Sequence, residues 1–233
     1  MTQLVFIHGA GCTPSVFAQQ LAAFPGSTAP LLPGHGTPGE PATIAEFADA
    51  VALTLERNDL HDVVLAGSSM GGAIALELAL RREPRVRAVV LLGSSGKLRV
   101  APAIFDAIDR DFPGAARMLA GYFYAQPTEE LLERSVAEML AVGQAQTRRD
   151  FEACNTFDVL DRLGEIDVPL LVLSGEKDAM VSPKFSLTVA DRVSGAQARI
   201  VEGTGHLLFI ERPDDTNDAL RTFVSSIDSL PSK

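Results

Sequence analysis

Among its 233 residues the chain has no tryptophan, only two tyrosines and only two cysteines. One pair of cysteines, Cys12 and Cys154, falls short of a secreted disulfide framework and reads as two small buried thiols. No apolar run reaches the roughly 18 to 20 uninterrupted residues of a membrane span, so no membrane is expected as partner. Residues 1–7 lack a basic leader and a small-residue cleavage site and run straight into His8-Gly9, so no export and a cytoplasmic location are expected. Positive charge is short as well. Twenty Lys and Arg stand against 30 Asp and Glu, a net charge of -10, and the basic residues are scattered rather than clustered. Such a field repels nucleic acid and anionic lipid, which leaves a small neutral or weakly polar molecule as the expected partner. Histidine, cysteine and carboxylates nowhere fall at metal-ligand spacing. Gly93-Ser94-Ser95-Gly96-Lys97 has two rather than four residues between its glycines and no Ser or Thr after Lys97, so it fails as a phosphate loop. Gly9-Ala10-Gly11 would need a third glycine where Pro14 stands, so a dinucleotide fingerprint fails too. No cofactor and no metal are expected, and oligomeric state is not legible.

What is present is one substantial core. A chain of this length buries a single domain with at most a small appendage. Short apolar, β-branched runs at 4–7, 29–32, 63–66, 86–92, 169–173 and 198–201 predict six strands. Their apolar residues are mostly consecutive rather than alternating, the pattern of strands covered on both faces. Helical patterns lie between them at 15–24, 43–56, 69–82, 183–193 and 213–227. This alternation predicts an α/β architecture: an open, mainly parallel six-stranded sheet with helices on both faces. From residue 97 to 165 the rhythm breaks, because helical periodicity continues through 129–142 and 144–163 with no strand signal. The expected organisation is a core of residues 1–96 and 166–233 with a helical cap, 97–165, inserted between them. The cap holds half of all Phe and Tyr residues, namely Phe105, Phe112, Tyr122, Phe123, Tyr124, Phe151 and Phe157, some serving its own small core and some expected to line an apolar pocket.

The chemistry-bearing motif is Gly67-Ser68-Ser69-Met70-Gly71, set between the apolar run at 63–66 and a helical Ala-Leu stretch. A serine at such a strand-to-helix turn projects its hydroxyl at the mouth of the sheet, with the positive end of the following helix beside it. Serine needs a base in reach and an acid to orient that base. Asp178 follows the strand at 169–173 and His206 follows the strand at 198–201, so both fall at the carboxyl edge where ligands of open parallel sheets bind. Glu176, on the same loop as Asp178, is a competing carboxylate. His8 and His35 sit in glycine loops where an imidazole braces the backbone, and His61 reads as surface. Cys12, near the first glycine loop, has no recognisable base.

In these motifs the chain resembles the α/β-hydrolases over essentially its whole length: His8-Gly9-Ala10-Gly11 after the first strand, Leu32-Pro33-Gly34-His35-Gly36 after the second, the Ser69 turn after the third, then Gly175-Glu176-Lys177-Asp178 and Gly205-His206. The chain order Ser, Asp, His is that family's order. The resemblance implies that the main-chain N–H groups of Ala10 and Met70 form an oxyanion hole. Two departures stand out. Ser68 takes the place where many relatives carry His or Trp, and the two strands that usually precede the His-Gly loop are missing. The function expected is a cofactor-free serine hydrolase of small to medium carboxylic esters, with Ser69, Asp178 and His206 as catalytic residues. The alternative is a lactonase or carbon–carbon hydrolase or lyase acting on a carboxylated metabolite, for which Arg110, Arg117, Arg134, Arg148 and Arg149 of the cap are available. A noncatalytic binder would be expected to have lost one of these groups.

Overall fold

A computed structural model describes residues 2–230. The apolar runs pair in the order in which they occur. β1 (Gln3–Ile7), β2 (Val63–Ser68), β3 (Val86–Leu92), β4 (Leu170–Gly175) and β5 (Gln197–Val201) form a five-stranded, fully parallel sheet in the order 1-2-3-4-5. Parallel neighbours need a crossover, and helices supply it. α1 (Ala18–Ala23) and α2 (Ile44–Arg57) lie between β1 and β2, α3 (Met70–Leu80) between β2 and β3, and α8 (Pro183–Arg192) between β4 and β5. Every residue of β2, β3 and β4 is buried, so helices cover both faces of the central sheet. β5 is an edge strand, and Gln197, Ala198 and Arg199 are exposed.

The sheet has five strands, not the six expected. Residues 29–32 do not form a strand, and the segment meets β1 only through a bridge at Thr28, whose carbonyl accepts the Phe6 N–H at 2.8 Å and whose N–H reaches the Leu4 carbonyl at 3.1 Å. Pro30 and Pro33 offer no N–H to a ladder. The Leu32 N–H turns away to the His8 imidazole at 3.3 Å.

Local signals account for the helix ends. Thr43 caps α2 in a reciprocal capping box with Glu46. The last helix, α10 (Pro213–Asp228), begins with proline and carries Asp214 and Asp215 in its first turn. Between β3 and β4 the chain runs through α4 (Pro102–Arg110), α5 (Phe112–Phe123), α6 (Glu129–Val142) and α7 (Gln144–Thr156). The helix expected over 144–163 stops at Thr156. The chain extends there so that Asp158 bridges Lys97, with the Val159 N–H on the Gly96 carbonyl at 2.8 Å, before a 3₁₀ turn at Leu160–Glu165. That bridge brings the start and the end of the helical segment between β3 and β4 together. A short helix that the sequence pattern did not announce, α9 (Leu208–Glu211), follows His206. Among the described residues no helix is long and apolar enough to cross a membrane.

The turn into α3 is held by backbone packed on backbone. A Cβ on Gly71 would lie 2.0 Å from the Ile7 carbonyl oxygen, with no flexible side chain to yield. Gly71→Ala is therefore expected to cost about 3 kcal/mol or prevent folding. Gly121→Ala, in α5 with nothing within 4 Å of the added carbon, is expected to be neutral or stabilising by up to about 1 kcal/mol. Urea unfolding of both variants checks the contrast.

Candidate active site

Ser69 follows β2 and precedes α3 with φ 50° and ψ -113°, a conformation costly for any residue with a Cβ. Its surroundings hold it there. The Ser69 N–H donates to the Leu92 carbonyl at 3.0 Å, and its own carbonyl accepts the Gly72 and Ala73 N–H groups at 3.0 and 3.2 Å and the Ser94 hydroxyl at 2.7 Å. Neither the Ala10 nor the Met70 N–H has an acceptor among the described residues, and Met70 opens α3 at its partly positive end. Gly9, next to Ala10, lies so near that a Cβ there would be 3.3 Å from the Ser69 Cβ.

Asp178 and His206 meet. His206 Nδ1 is 2.9 Å from Asp178 Oδ2, and both side chains are almost wholly shielded from solvent. The other carboxylate oxygen of Asp178 accepts the Met180 and Val181 N–H groups, each at 2.8 Å, so the acid is fixed before it orients the imidazole. Glu176 does not compete, because its Oε2 accepts the Gly203 N–H at 3.0 Å on the surface. The two loops touch backbone to backbone: a Cβ on Gly175 would come 2.0 Å from the Gly205 carbonyl oxygen. Ser69 and His206 both line a void of about 20 Å³, room for about one water, together with Ala10 and Phe123. A larger cavity of about 470 Å³ opens from Ser69 and is walled mainly by apolar side chains, among them Leu98, Phe151, Leu160, Met180 and Phe185.

Sequence reasoning missed several of these groups. The discarded Gly93-Ser94-Ser95 turn follows β3 and packs beneath the site: a Cβ on Gly93 would sit 2.8 Å from the His206 carbonyl oxygen and 3.2 Å from Asp178 Oδ2. Its position past the carboxyl end of a parallel strand was the available signal. Glu211 in α9 was also missed. Its carboxylate accepts N–H groups from Gly205 at 2.6 Å, Ala125 at 2.9 Å and Gln126 at 3.2 Å, joining the His206 loop to the end of α5. Of the seven aromatics at 97–165, Phe151 and Phe123 reach the two cavities, whereas Tyr122 faces solvent and Tyr124 is buried with its hydroxyl on Ser135. Met180, Val181 and Phe185, after β4, complete the apolar wall. The five arginines named above stay out of both cavities. Arg117 pairs with Glu129, Arg148 with Asp109, Arg149 with Glu40, and Arg134 bonds the Ser15 carbonyl.

The other titratable groups are structural. His8 is fully buried, donating through Nδ1 to the Gly9 carbonyl at 3.0 Å and accepting the Leu32 N–H through Nε2. Burial, reinforced by His35, lowers its pKa to about 3, so it stays neutral. His35 Nε2 lies 2.8 Å from Asp150 Oδ2. Burial opposes its charge, but the hydrogen bond and charge of Asp150 and the Pro33 and Leu32 carbonyls outweigh that and raise its pKa. His61 is exposed beside Asp59. Cys12 and Cys154 are unpaired and buried. Burial, and then the charges of Glu138 and Asp150, hold the Cys12 thiol well above its usual value, so no thiolate competes with Ser69.

Comparison with known proteins agrees with this geometry. The model of the alpha/beta hydrolase family matches residues 4–219. The chain belongs to that family, as an esterase-like hydrolase. A pimeloyl-[acyl-carrier protein] methyl ester esterase from Neisseria meningitidis is 26% identical over 99% of this chain and 79% of its own length. The solved structure of a thermophilic esterase superposes with a TM-score of 0.89 at 28% identity, covering 96% of this chain and 90% of that one. Est816, described as an N-acyl homoserine lactone degrading enzyme, gives a TM-score of 0.84 at 28% identity over 96% of this chain and 93% of its own.

Buried His8 sets an acid limit on stability. The His8 pKa falls on folding from its ordinary 6.5 to about 3, so its contribution is complete above 6.5 and is lost as pH falls towards 3, where the unfolded chain binds the extra proton. His35, raised on folding, acts in the opposite sense: its contribution is present below 6.5 and disappears as pH rises through the folded value. Asn at position 8 can donate to Gly9 and accept from Leu32 without titrating. His8→Asn is expected to flatten the acid slope of stability between about pH 6 and 4 by up to one proton, about 1.4 kcal/mol per pH unit. Urea midpoints measured across that range test it.

Proposed function

We propose that the protein is a serine hydrolase that cleaves small to medium carboxylic esters through an acyl-enzyme. The observation that carries this reading is the shielded Asp178–His206 pair at 2.9 Å, whose His206 lines the same small void as the strained Ser69. Ser69 attacks the ester carbonyl while His206 takes its proton through Nε2. Asp178 holds Nδ1–H, which fixes the tautomer and stabilises the imidazolium. The oxyanion forms between the Ala10 and Met70 N–H groups, donors aimed in advance at charge that develops only in the transition state. His206 then returns the proton to the departing alcohol, and a water activated by the same imidazole releases the acid. No cofactor or metal enters these steps.

The cavity of about 470 Å³ has an apolar wall and suits an apolar acyl or alcohol group of moderate size. Residues 97–165 act as the cap over it, supplying Phe151 and Leu160 to its wall. The substrate is a small molecule; net charge -10 disfavours nucleic acid and anionic lipid surfaces. A lactone, which is a cyclic ester, is the second substrate class, supported by the likeness to Est816 and open to the same chemistry. Carbon–carbon cleavage of a carboxylated metabolite has less support, because Arg117, Arg148 and Arg149 pair with carboxylates outside the cavity, which leaves Lys97 and Arg99 as the cations on its wall.

Hydrolysis of chromogenic esters of increasing acyl length tests the proposal. Turnover is expected to rise from acetyl to medium chains and to fall for long ones. Ser69→Ala is expected to remove on the order of a million-fold in kcat. Asp178→Asn should cost about ten-thousand-fold and Glu176→Gln almost nothing. Activity indifferent to Ser69 would overturn the covalent reading, and a larger loss at Glu176 than at Asp178 would reassign the acid.

A further inference from the structure

A carboxylate from the helical insertion reaches the loop that carries Ala10. Asp150, in the middle of α7, is completely buried. Its Oδ2 accepts the Gly11 N–H at 2.9 Å and faces His35 Nε2 at 2.8 Å, while its Oδ1 accepts the Gln146 amide at 2.8 Å. His35 Nδ1 lies 3.2 Å from the Pro33 carbonyl, so both ring nitrogens face acceptors, the arrangement of an imidazolium. The loop is gripped a second time. Glu138, in α6, accepts the Thr13 N–H at 2.7 Å, the Ser15 hydroxyl at 2.8 Å and the Thr13 hydroxyl. Gly11 itself, at φ +64°, is wedged against the insertion: a Cβ there would lie 3.2 Å from Met139 Cγ and 3.3 Å from the Thr147 methyl.

Stability alone does not explain such a pair. A buried ion pair is often no more stabilising than a well-packed apolar replacement, because desolvation offsets the attraction. What the pair does supply is a fixed direction. The peptide that carries the free Ala10 N–H is held at its Gly9 carbonyl by His8 Nδ1, and the next peptide is held through the Gly11 N–H by Asp150, so the two bonds on either side of the Ala10 Cα together limit how far the Ala10 N–H can rotate. We propose that Asp150 is a positioning residue for ester hydrolysis: through the Gly11 N–H it completes, with His8 on the Gly9 carbonyl, the restraint that holds the Ala10 N–H in its oxyanion-binding orientation, so that full alignment of the donor requires α7 seated on the core. The inference rests on the assignment of Ser69 and Ala10 given above. Its functional consequence is that seating of the insertion and assembly of the oxyanion hole are one event.

The signature of positioning is a loss that falls on the transition state and not on substrate binding. Asp150→Ala is expected to lower kcat by about 100-fold, within the range for loss of one oxyanion donor, with KM changed less than about threefold. Its affinity for an alkyl trifluoromethyl ketone, which forms a tetrahedral hemiketal on serine, should fall by a similar factor. Asp150→Asn guards against a folding failure. Asn can still accept from Gly11, and Gln146, whose amide oxygen has no partner, can turn to accept the new NH₂. It is expected to restore kcat to within about tenfold of the parent. Glu152→Gln, an exposed change on the same helix, should leave both constants unaltered. An Asp150→Ala protein with unchanged kcat, or one whose defect lies wholly in KM, overturns the role of Asp150. So does an Asp150→Asn protein that is folded and as impaired as the alanine variant. Ser69→Ala keeps the two readings apart: if it stays active the esterase assignment itself fails, whereas if it is inert and Asp150→Ala turns over normally only the positioning role falls.

Discussion

Close approach of backbone to backbone at the carboxyl edge of the sheet is the constraint on which the rest of the structure depends. The start of α3 lies against the Ile7 carbonyl, the Asp178 loop lies against the His206 loop, and both contacts leave no room for a Cβ. These contacts bring residues from distant parts of the chain within a hydrogen bond of one another. They also force Ser69 into a conformation that a residue with a side chain adopts only under restraint. The restraint comes from β3 and the turn after it, through the Leu92 carbonyl and the Ser94 hydroxyl, so strain at Ser69 is balanced by ordinary hydrogen bonds next door.

Four shielded or half-buried carboxylates around Ser69 and His206 set direction. Asp178 is held by two backbone donors before it meets His206. Asp150 and Glu138 hold the loop after Ala10, and Glu211 holds the loop at His206. In each case a carboxylate accepts main-chain N–H groups that would otherwise be left unpaired on leaving water, and charge-assisted bonds of this kind are stronger than neutral ones. Asp150 and Glu138 join α7 and α6 to the loop after Ala10, and Glu211 joins the His206 loop to the end of α5, so the helices between β3 and β4 are tied to both loops.

Much of this was legible in the sequence because it is local. The elbow reads from Gly67 to Gly71, since only a strand ahead, a helix behind and small residues in between allow the turn. The parallel sheet reads from consecutive apolar residues, and the carboxyl-edge placement of Asp178 and His206 follows from counting past strand ends. Where local reading failed, a tertiary partner had overruled it. Residues 29–32 have strand composition, yet Pro30 and Pro33 lack donors and Leu32 bonds a histidine. Residues 144–163 have helical periodicity, yet the bridge between Lys97 and Asp158 ends the helix early. Aromatic content pointed to a pocket in the insertion, but Met180, Val181 and Phe185 after β4 supply much of its wall, and no short-range pattern marks a side chain as cavity-facing.

By itself, the sequence determined the fold class and the placing of Ser69, Asp178 and His206 just past strand ends on one edge of the sheet, because periodicity, turn chemistry and strand ends are properties of neighbouring residues. Only the tertiary structure decided which carboxylate meets His206, that His8 is neutral while His35 pairs with Asp150, and that a residue 139 positions away in the chain grips the peptide beside Ala10. Those outcomes depend on distances and on desolvation across the fold, and neither quantity exists until the chain has closed on itself.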